Sequence, residues 1–332
     1  MACSLAPALP HQMFHRVGAA PHQMMRKVPT PPPPPPPEEA RLSDFEWIGD
    51  LGAGGFAKVS KVRHRRTGAV FALKMSKDAD PKREEEAEVL RRAAGSPHVV
   101  GCHALLRGPG GEPGCVLELM DAGSLGDVLR RRRGRGGLPE HALAEAAAHC
   151  AVGLAQLHSR GVAHLDVKPD NFLASSRGEI KIGDFNTSRI LYGGAGGEHP
   201  MVVPLTAGTR CYFSPERFAP GARAGPHGAM AADVWSLGVT VLELFLGRFA
   251  FARGLSAAAL ELAICQTATV GLYACRKKQR RRQSCDEFVE ACLQREPVRR
   301  ATVKQLLVHP FLARRDVQVS RCALRDIIVS SL

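Results

Sequence analysis

The chain has 332 residues, of which 45% are apolar and 23% charged, enough apolar material for one large domain or two smaller ones. The best candidate for a membrane span, Ala231 to Gly247, contains Asp233 and Glu243, and polar or basic residues break up every apolar stretch near the start, which argues against a secretory signal. Ten cysteines without a C-x-x-C pair read as reduced thiols, not a disulfide framework or zinc site.

The net charge of +13 is concentrated in two runs, Arg130–Arg133 with Arg135, and Arg276–Lys278 with Arg280–Arg282. Neither has interleaved aromatics, so neither offers a stacking platform for nucleic acid. Both read as solvated basic loops, with an acidic protein partner or a nuclear-import patch as the sharper alternative. The expected location is cytoplasmic, or nuclear if such a patch operates.

Residues 1–44 read as a disordered arm. No acidic residue precedes Glu38, and seven prolines run from Pro31 to Pro37, a sequence that stiffens into a polyproline II spacer. The sharper reading of the arm is a docking segment, with Arg26-Lys27-Val28 offering basic and apolar groups to a partner. From Phe45 to Met75 apolar and polar residues alternate around Gly turns, predicting antiparallel strands. Helical spacing follows over Lys82–Ala94, and Val116–Met120 reads as a strand. Beyond Leu138 the spacing predicts helices at His141–His158, Ala232–Leu246, Leu255–Cys265, Asp286–Gln294 and Val303–Leu307. The tail, residues 314–332, reads as a helical extension packed on the large lobe. A small β-rich lobe therefore precedes a larger helical one, and ligands favour the crevice between such lobes.

The chemistry-bearing residues follow in order. Gly52-Ala53-Gly54-Gly55-Phe56-Ala57-Lys58-Val59 is a Gly-rich turn that lets backbone amides approach phosphate oxygens. Lys74 ends the apolar strand Val70–Lys74, and a buried lysine needs a carboxylate or a phosphate. Glu86 is the candidate partner, with Glu84, Glu85 and Glu88 close enough to leave the register open. The second lobe carries His164-Leu165-Asp166-Val167-Lys168-Pro169-Asp170-Asn171, then Asp184-Phe185-Asn186 after a strand at Glu179–Ile182. Asp166, Lys168, Asn171 and Asp184 supply what phosphoryl transfer needs: a carboxylate for the attacking hydroxyl, a cation for the γ-phosphate, and oxygen ligands for Mg²⁺. Gly208-Thr209, Ser214-Pro215-Glu216, Asp233-Val234-Trp235-Ser236-Leu237-Gly238 and Arg300 complete the series.

In this order and spacing the series resembles the eukaryotic protein kinase family over about residues 45–313. The resemblance implies an α+β bilobal fold with a β-rich N-lobe carrying one helix (residues 45–120) and a mainly helical C-lobe (121–313). It implies ATP and Mg²⁺ as cofactors. ATP would contact Leu51, Gly52, Ala53, Gly54, Gly55, Phe56, Val59 and Ala72. Lys74 would hold the α- and β-phosphates, anchored by Glu86; Leu117 would be the gatekeeper, with Glu118 to Met120 the hinge for adenine. Asp166 would be the catalytic base, and Asn171 and Asp184 would hold the metals. Glu216 would pair with Arg300, and Asp233 would brace the catalytic loop. Gly208–Phe218, Ala231–Gly238, Gly247-Arg248-Phe249 and Ser96–Val100 are similar to MAP kinase kinases, particularly those of plants. That likeness implies transfer to Thr and Tyr of a MAP kinase, with an upstream MAP kinase kinase kinase.

Three departures stand out. Leu165 replaces the arginine that grips an activation-loop phosphate in the family. Leu205 and His199 stand where the plant-type hydroxyl acceptors belong. Asn186 replaces a glycine, and Asn is the residue next best tolerated at positive φ. These departures keep open a second reading, a pseudokinase that docks cascade components without transferring phosphate.

Overall fold

The computed structural model describes residues 40–78, 83–193, 197–251, 255–266 and 283–332. Most of the N-terminal arm and the basic run at 276–282 lie outside the described residues. Strands β1 (Phe45–Ala53), β2 (Ala57–His64), β3 (Val70–Ser76), β4 (Cys102–Arg107) and β5 (Pro113–Glu118) form one antiparallel sheet in the order β1-β2-β3-β5-β4. The alternation read from Phe45 onward arises because one sheet face packs on Phe45, Val62, Phe71, Leu73, Ala104, Leu106 and Val116, while the other faces away. Helix α1 (Arg83–Arg92) packs against this sheet.

The C-lobe is built on α2 (Leu125–Arg131), α3 (Glu140–Ser159), α4 (Pro226–Leu246), α5 (Ala257–Gln266), α6 (Gln283–Cys292), α7 (Val303–Leu307), α8 (Pro310–Ala313) and α9 (Val317–Val329). Among the described residues α4 alone is long and apolar enough to cross a membrane, and 78% of its apolar window is buried inside the protein. It is the core helix of this lobe, with Val234, Trp235, Leu237, Val239, Val241 and Leu242 all buried. Short strand pairs β6 (Val162–Ala163) with β9 (Arg189–Ile190), and β7 (Phe172–Ala174) with β8 (Ile180–Ile182), fix the loops that face the N-lobe.

Several boundaries differ from the sequence reading. Helix α4 starts at Pro226, six residues earlier than expected, because proline suits the first helical position and Gly225 precedes it in extended backbone. The strand expected at Val116–Met120 runs over Pro113–Glu118 and stops before the lobe connection. Helix α2 and strand β4 were not anticipated. Ser124 caps α2 by accepting from the Asp127 amide, and Asp127 returns the bond to the Ser124 amide, a capping box with aspartate in place of glutamate. The arginine run 130–133 is therefore partly helical: Arg130 and Arg131 end α2, Arg130 pairs with Asp127 and Asp170, and Arg132 is buried, while Arg131, Arg133 and Arg135 are solvated as read.

Helix α9 packs along α3 and is fastened by charge. Glu145 on α3 is fully buried and accepts from Arg315 at 2.6 Å and Arg321 at 3.2 Å, with His149 beside it at 3.2 Å. Burial pushes its pKa up, and the hydrogen bonds from His149 and Arg315 more than offset this, leaving it at about 2 against an ordinary value of 4.5. A depressed carboxylate adds stability that is present above its unfolded pKa and lost as pH falls toward its folded one. Thermal melts from about pH 6 to pH 3 should therefore show Glu145→Gln destabilised by about 1–3 kcal/mol at the upper end, with the gap to wild type closing as pH falls.

Candidate active site

Glycine content at the β1–β2 turn has no explanation inside the protein. A Cβ added at Gly52, Gly54 or Gly55 would meet nothing within 4 Å, and none of the three has positive φ. The space above the turn is open, and the flanking Leu51, Ala53 and Phe56 are exposed. Across the sheet Val59 stands opposite Lys74, and Ala72, buried, stands opposite Leu117.

Lys74 is the meeting point of the two lobes. Its Nζ donates to Glu86 Oε1 at 2.6 Å and to Asp184 Oδ1 at 2.8 Å, with Lys74 and Glu86 both buried. The register left open among four glutamates is thus settled on Glu86. Glu85 instead accepts from the Ile190 amide, and Glu88 holds Arg92. Burial works to lower the Lys74 pKa, but the carboxylates of Asp184 and Glu86 outweigh it and hold the ammonium above its ordinary range. Burial likewise raises Asp184, and Lys74 brings it below the usual carboxylate value.

The catalytic-loop candidates gather a second cluster. Lys168 Nζ donates to Asp166 Oδ2 and to Thr209 Oγ1, both at 2.7 Å. The Thr209 amide donates to Asp166 Oδ1 at 2.7 Å, and Asn171 Nδ2 donates to the Asp166 carbonyl at 2.8 Å and to Oδ2 at 3.2 Å. Burial raises the Asp166 pKa, and Lys168 then Thr209 bring it below the ordinary value. Asn171 uses its amide nitrogen on Asp166, which leaves its amide oxygen as a hard donor, and its backbone carbonyl accepts from the amide of Gly183, the residue before Asp184, at 2.9 Å. Two hard oxygens beside a phosphate site suit a divalent cation.

Beneath this cluster lies Asp233 on α4, fully buried. It accepts from the His164 amide at 2.8 Å, the Leu165 amide at 2.7 Å and His158 Nε2 at 2.9 Å. The Asp166 amide in turn donates to His164 Nδ1, so His164 carries its proton on Nε2, toward the Gly183 carbonyl. Glu216 and Arg300 form a bidentate pair at 2.6 Å for each bond, with Arg300 lying over the Trp235 ring. Glu118, expected at the hinge, directs its carboxylate to Lys181 and donates its amide to the Gly101 carbonyl; Met120 is buried just beyond it.

Two expectations change. Positive φ was expected at Asn186; it occurs instead at Asp184 (60°) and at Leu165 (63°). Asn186 takes ordinary backbone and donates to Asp184 Oδ1 at 2.6 Å, so it props the carboxylate where glycine would leave it alone. Thr209, part of the series read from the sequence, joins the site through Lys168 and Asp166, whereas Arg217 was not anticipated as part of it. Arg217 is buried, stacks 3.7 Å from the Phe213 ring centroid, and donates to the carbonyls of Leu165, Leu205 and Ala207; burial pulls its pKa down to about 10, still a cation at neutral pH.

With the geometry in view, comparison with known proteins agrees with it. The protein kinase domain family model matches residues 45–312. Mitogen-activated protein kinase kinase 9 of Arabidopsis thaliana is 36% identical over 282 residues, covering 81% of this chain and 84% of that protein. Mitogen-activated protein kinase kinases 7 and 10 of the same plant are 36% and 34% identical, over 81% and 82% of this chain and 85% and 86% of their own lengths. The chain is a protein kinase of the MAP kinase kinase family. Membership implies ATP and a divalent metal in general, and the oxygens just described fit such a pair.

Within this kinase, Asp233 carries the catalytic loop. Removing its carboxylate leaves two buried amides and His158 without their acceptor. Asp233→Ala should cost about 2–5 kcal/mol in a denaturant titration, while a surface control such as Glu46→Ala should stay within about 0.5 kcal/mol.

Proposed function

We propose that this protein transfers the γ-phosphate of ATP, with Mg²⁺, to the Thr and Tyr of a MAP kinase activation loop. It would act downstream of a MAP kinase kinase kinase, but without the usual activation-loop acceptors of its own. The observation that carries this reading is the simultaneous contact of Lys74 with Glu86 and Asp184. It keeps the phosphate-binding cation and the metal-binding carboxylate together despite Leu165 and Asn186.

In this reading the Gly-rich turn lets backbone amides close over the phosphates, and Lys74 neutralises the α- and β-phosphate oxygens. The substrate hydroxyl lies against Asp166, whose carboxylate is already oriented by the Thr209 amide and Asn171. As the hydroxyl oxygen bonds to the γ-phosphorus, the bond to the β–γ bridging oxygen breaks and the hydroxyl proton passes to Asp166. Because Lys168 and Thr209 hold its pKa low, Asp166 acts by orienting the hydroxyl and accepts the proton late, as suits a loose transition state. Lys168 meets the charge on the transferring phosphoryl group. Mg²⁺ held by Asp184 and Asn171 would neutralise charge on the phosphates as the bond breaks.

The second reading, docking without transfer, draws on the Asn186 bond to Asp184 Oδ1, which occupies an oxygen a metal could use. Labelled ATP with Mg²⁺ and a catalytically dead plant MAP kinase separates the two. Wild type should label the target on Thr and Tyr, and Asp166→Asn should lower kcat by about 10²–10⁴ with ATP affinity kept. Lys74→Met should lose transfer as well. A target that binds but gains no label above these variants would favour docking.

A further inference from the structure

Two of the departures from the family, far apart in sequence, meet in space. Leu165 in the catalytic loop and Leu205 in the activation segment are each 1% exposed and belong to one apolar cluster with Leu191, Val203 and Ala229. Three further contacts cross the same seam. Arg217 Nε donates to the Leu205 carbonyl at 2.8 Å and a terminal nitrogen donates to the Leu165 carbonyl at 3.0 Å, so one planar cation holds both strands of the seam. Gly208, at φ +111°, passes so close that a Cβ there would stand 2.5 Å from the Leu165 carbonyl oxygen. The next residue, Thr209, delivers its amide to Asp166.

The hydroxyls of the segment add to this. Thr187 and Ser188 donate to the His164 carbonyl, and Tyr192 packs against Gly161. Thr206 is exposed, beside Leu205. Where an arginine and a phosphate would form a charged, conditional tie, this protein has two leucines removed from water. Burying a leucine contributes about 1.5–3 kcal/mol with no dependence on modification.

We infer that Leu165, Leu205 and Arg217 are positioning residues that latch the activation segment onto the catalytic loop without a phosphate, and so set Thr209 and Asp166 in place. The inference rests on the kinase reading for its meaning and for the kinetic arm of its test, but not for the hydrogen-exchange arm. A leucine held at φ +63° pays about 1–2 kcal/mol of backbone strain; the two amide bonds that the Asp233 carboxylate accepts and the buried side chain offset it. The latch is also insensitive to salt, unlike a phosphate–arginine pair.

The test uses the full chain made in bacteria and treated with phosphatase, read by hydrogen exchange over Val203–Phe213 and by transfer kinetics. Wild type should show a protected segment that phosphatase does not loosen. Leu165→Ala and Leu205→Ala should each speed exchange there at least about tenfold and lower kcat to match, with the KM for ATP within about twofold of wild type. Leu205→Met, which conserves volume, should keep both properties. Should either alanine variant fail to fold, Arg217→Lys reads the same seam, since an ammonium cannot reproduce the planar fork and should loosen the segment. Rapid exchange of the unphosphorylated wild-type segment, or protection gained only on phosphorylating Thr206, overturns the latch. Unchanged exchange in all the folded variants overturns it equally. A protected segment with no phosphate transfer would leave the latch standing and sink the kinase activity instead.

Discussion

A single buried carboxylate organises the C-lobe side of the site. Asp233 sits inside an otherwise apolar core helix, where an unpaired charge would be costly. The cost is met by two consecutive amides of the catalytic loop and by His158. That geometry turns the chain sharply at Leu165, into left-handed backbone that a leucine would not choose alone. The turn sends the Leu165 side chain into the apolar cluster and presents Asp166 to the cleft. The carboxylate, the strained residue and the candidate base therefore form one mechanical unit.

The other half of the site is organised by opposite means. Lys74, Glu86 and Asp184 are gathered by charge, at distances of 2.6 and 2.8 Å; Lys74 and Glu86 are buried and each is tolerable there because of the other, while Asp184 stays half-exposed. Asn186 adds a neutral donor to Asp184. Helix α1 is held against the sheet by this same pair, so the position of the helix and the readiness of the phosphate site are coupled. On the activation-segment side, Leu165 and Leu205 are held by apolar packing and Arg217 is bonded to backbone carbonyls.

Much of this was legible in the sequence because its signals are local. The Gly-rich turn, the lysine ending an apolar strand, and Asp166, Lys168 and Asn171 within six positions all declare themselves by spacing. Alternation gave strands β1 to β3, and period-3.6 spacing gave α3, α5, α6 and α7 to within a few residues, with α4 starting earlier than read; β4 and α2 went unread. What escaped notice was long-range or backbone-mediated. Nothing near Arg217 signals that its guanidinium bonds carbonyls 10, 12 and 52 residues away. Glu145 looks like one more polar residue in an alanine-rich helix until Arg315, 170 positions on, is folded against it. The four glutamates of α1 could be separated only by the turn of the helix, which decides which one faces Lys74. Arginine repeats suggested a solvated loop because composition does not reveal that Ser124 starts a helix there.

The placement of positive φ shows why a substitution read in isolation misleads. Asn186 looks like a backbone change, glycine replaced by the residue that best mimics it, yet its backbone is ordinary and its effect is a side-chain hydrogen bond. Leu165 looks like a lost charge, yet its consequence is a gained apolar contact whose partner, Leu205, reads in the sequence as another loss. Neither leucine makes sense alone: a lone Leu165 would be an apolar side chain in a charged pocket, and a lone Leu205 a missing acceptor. Together they exclude water from one seam, and the carbonyls that this exclusion would strand are the ones Arg217 satisfies. A buried guanidinium suits the apolar seam, because carbonyls removed from water require donors and a planar cation can reach several at once.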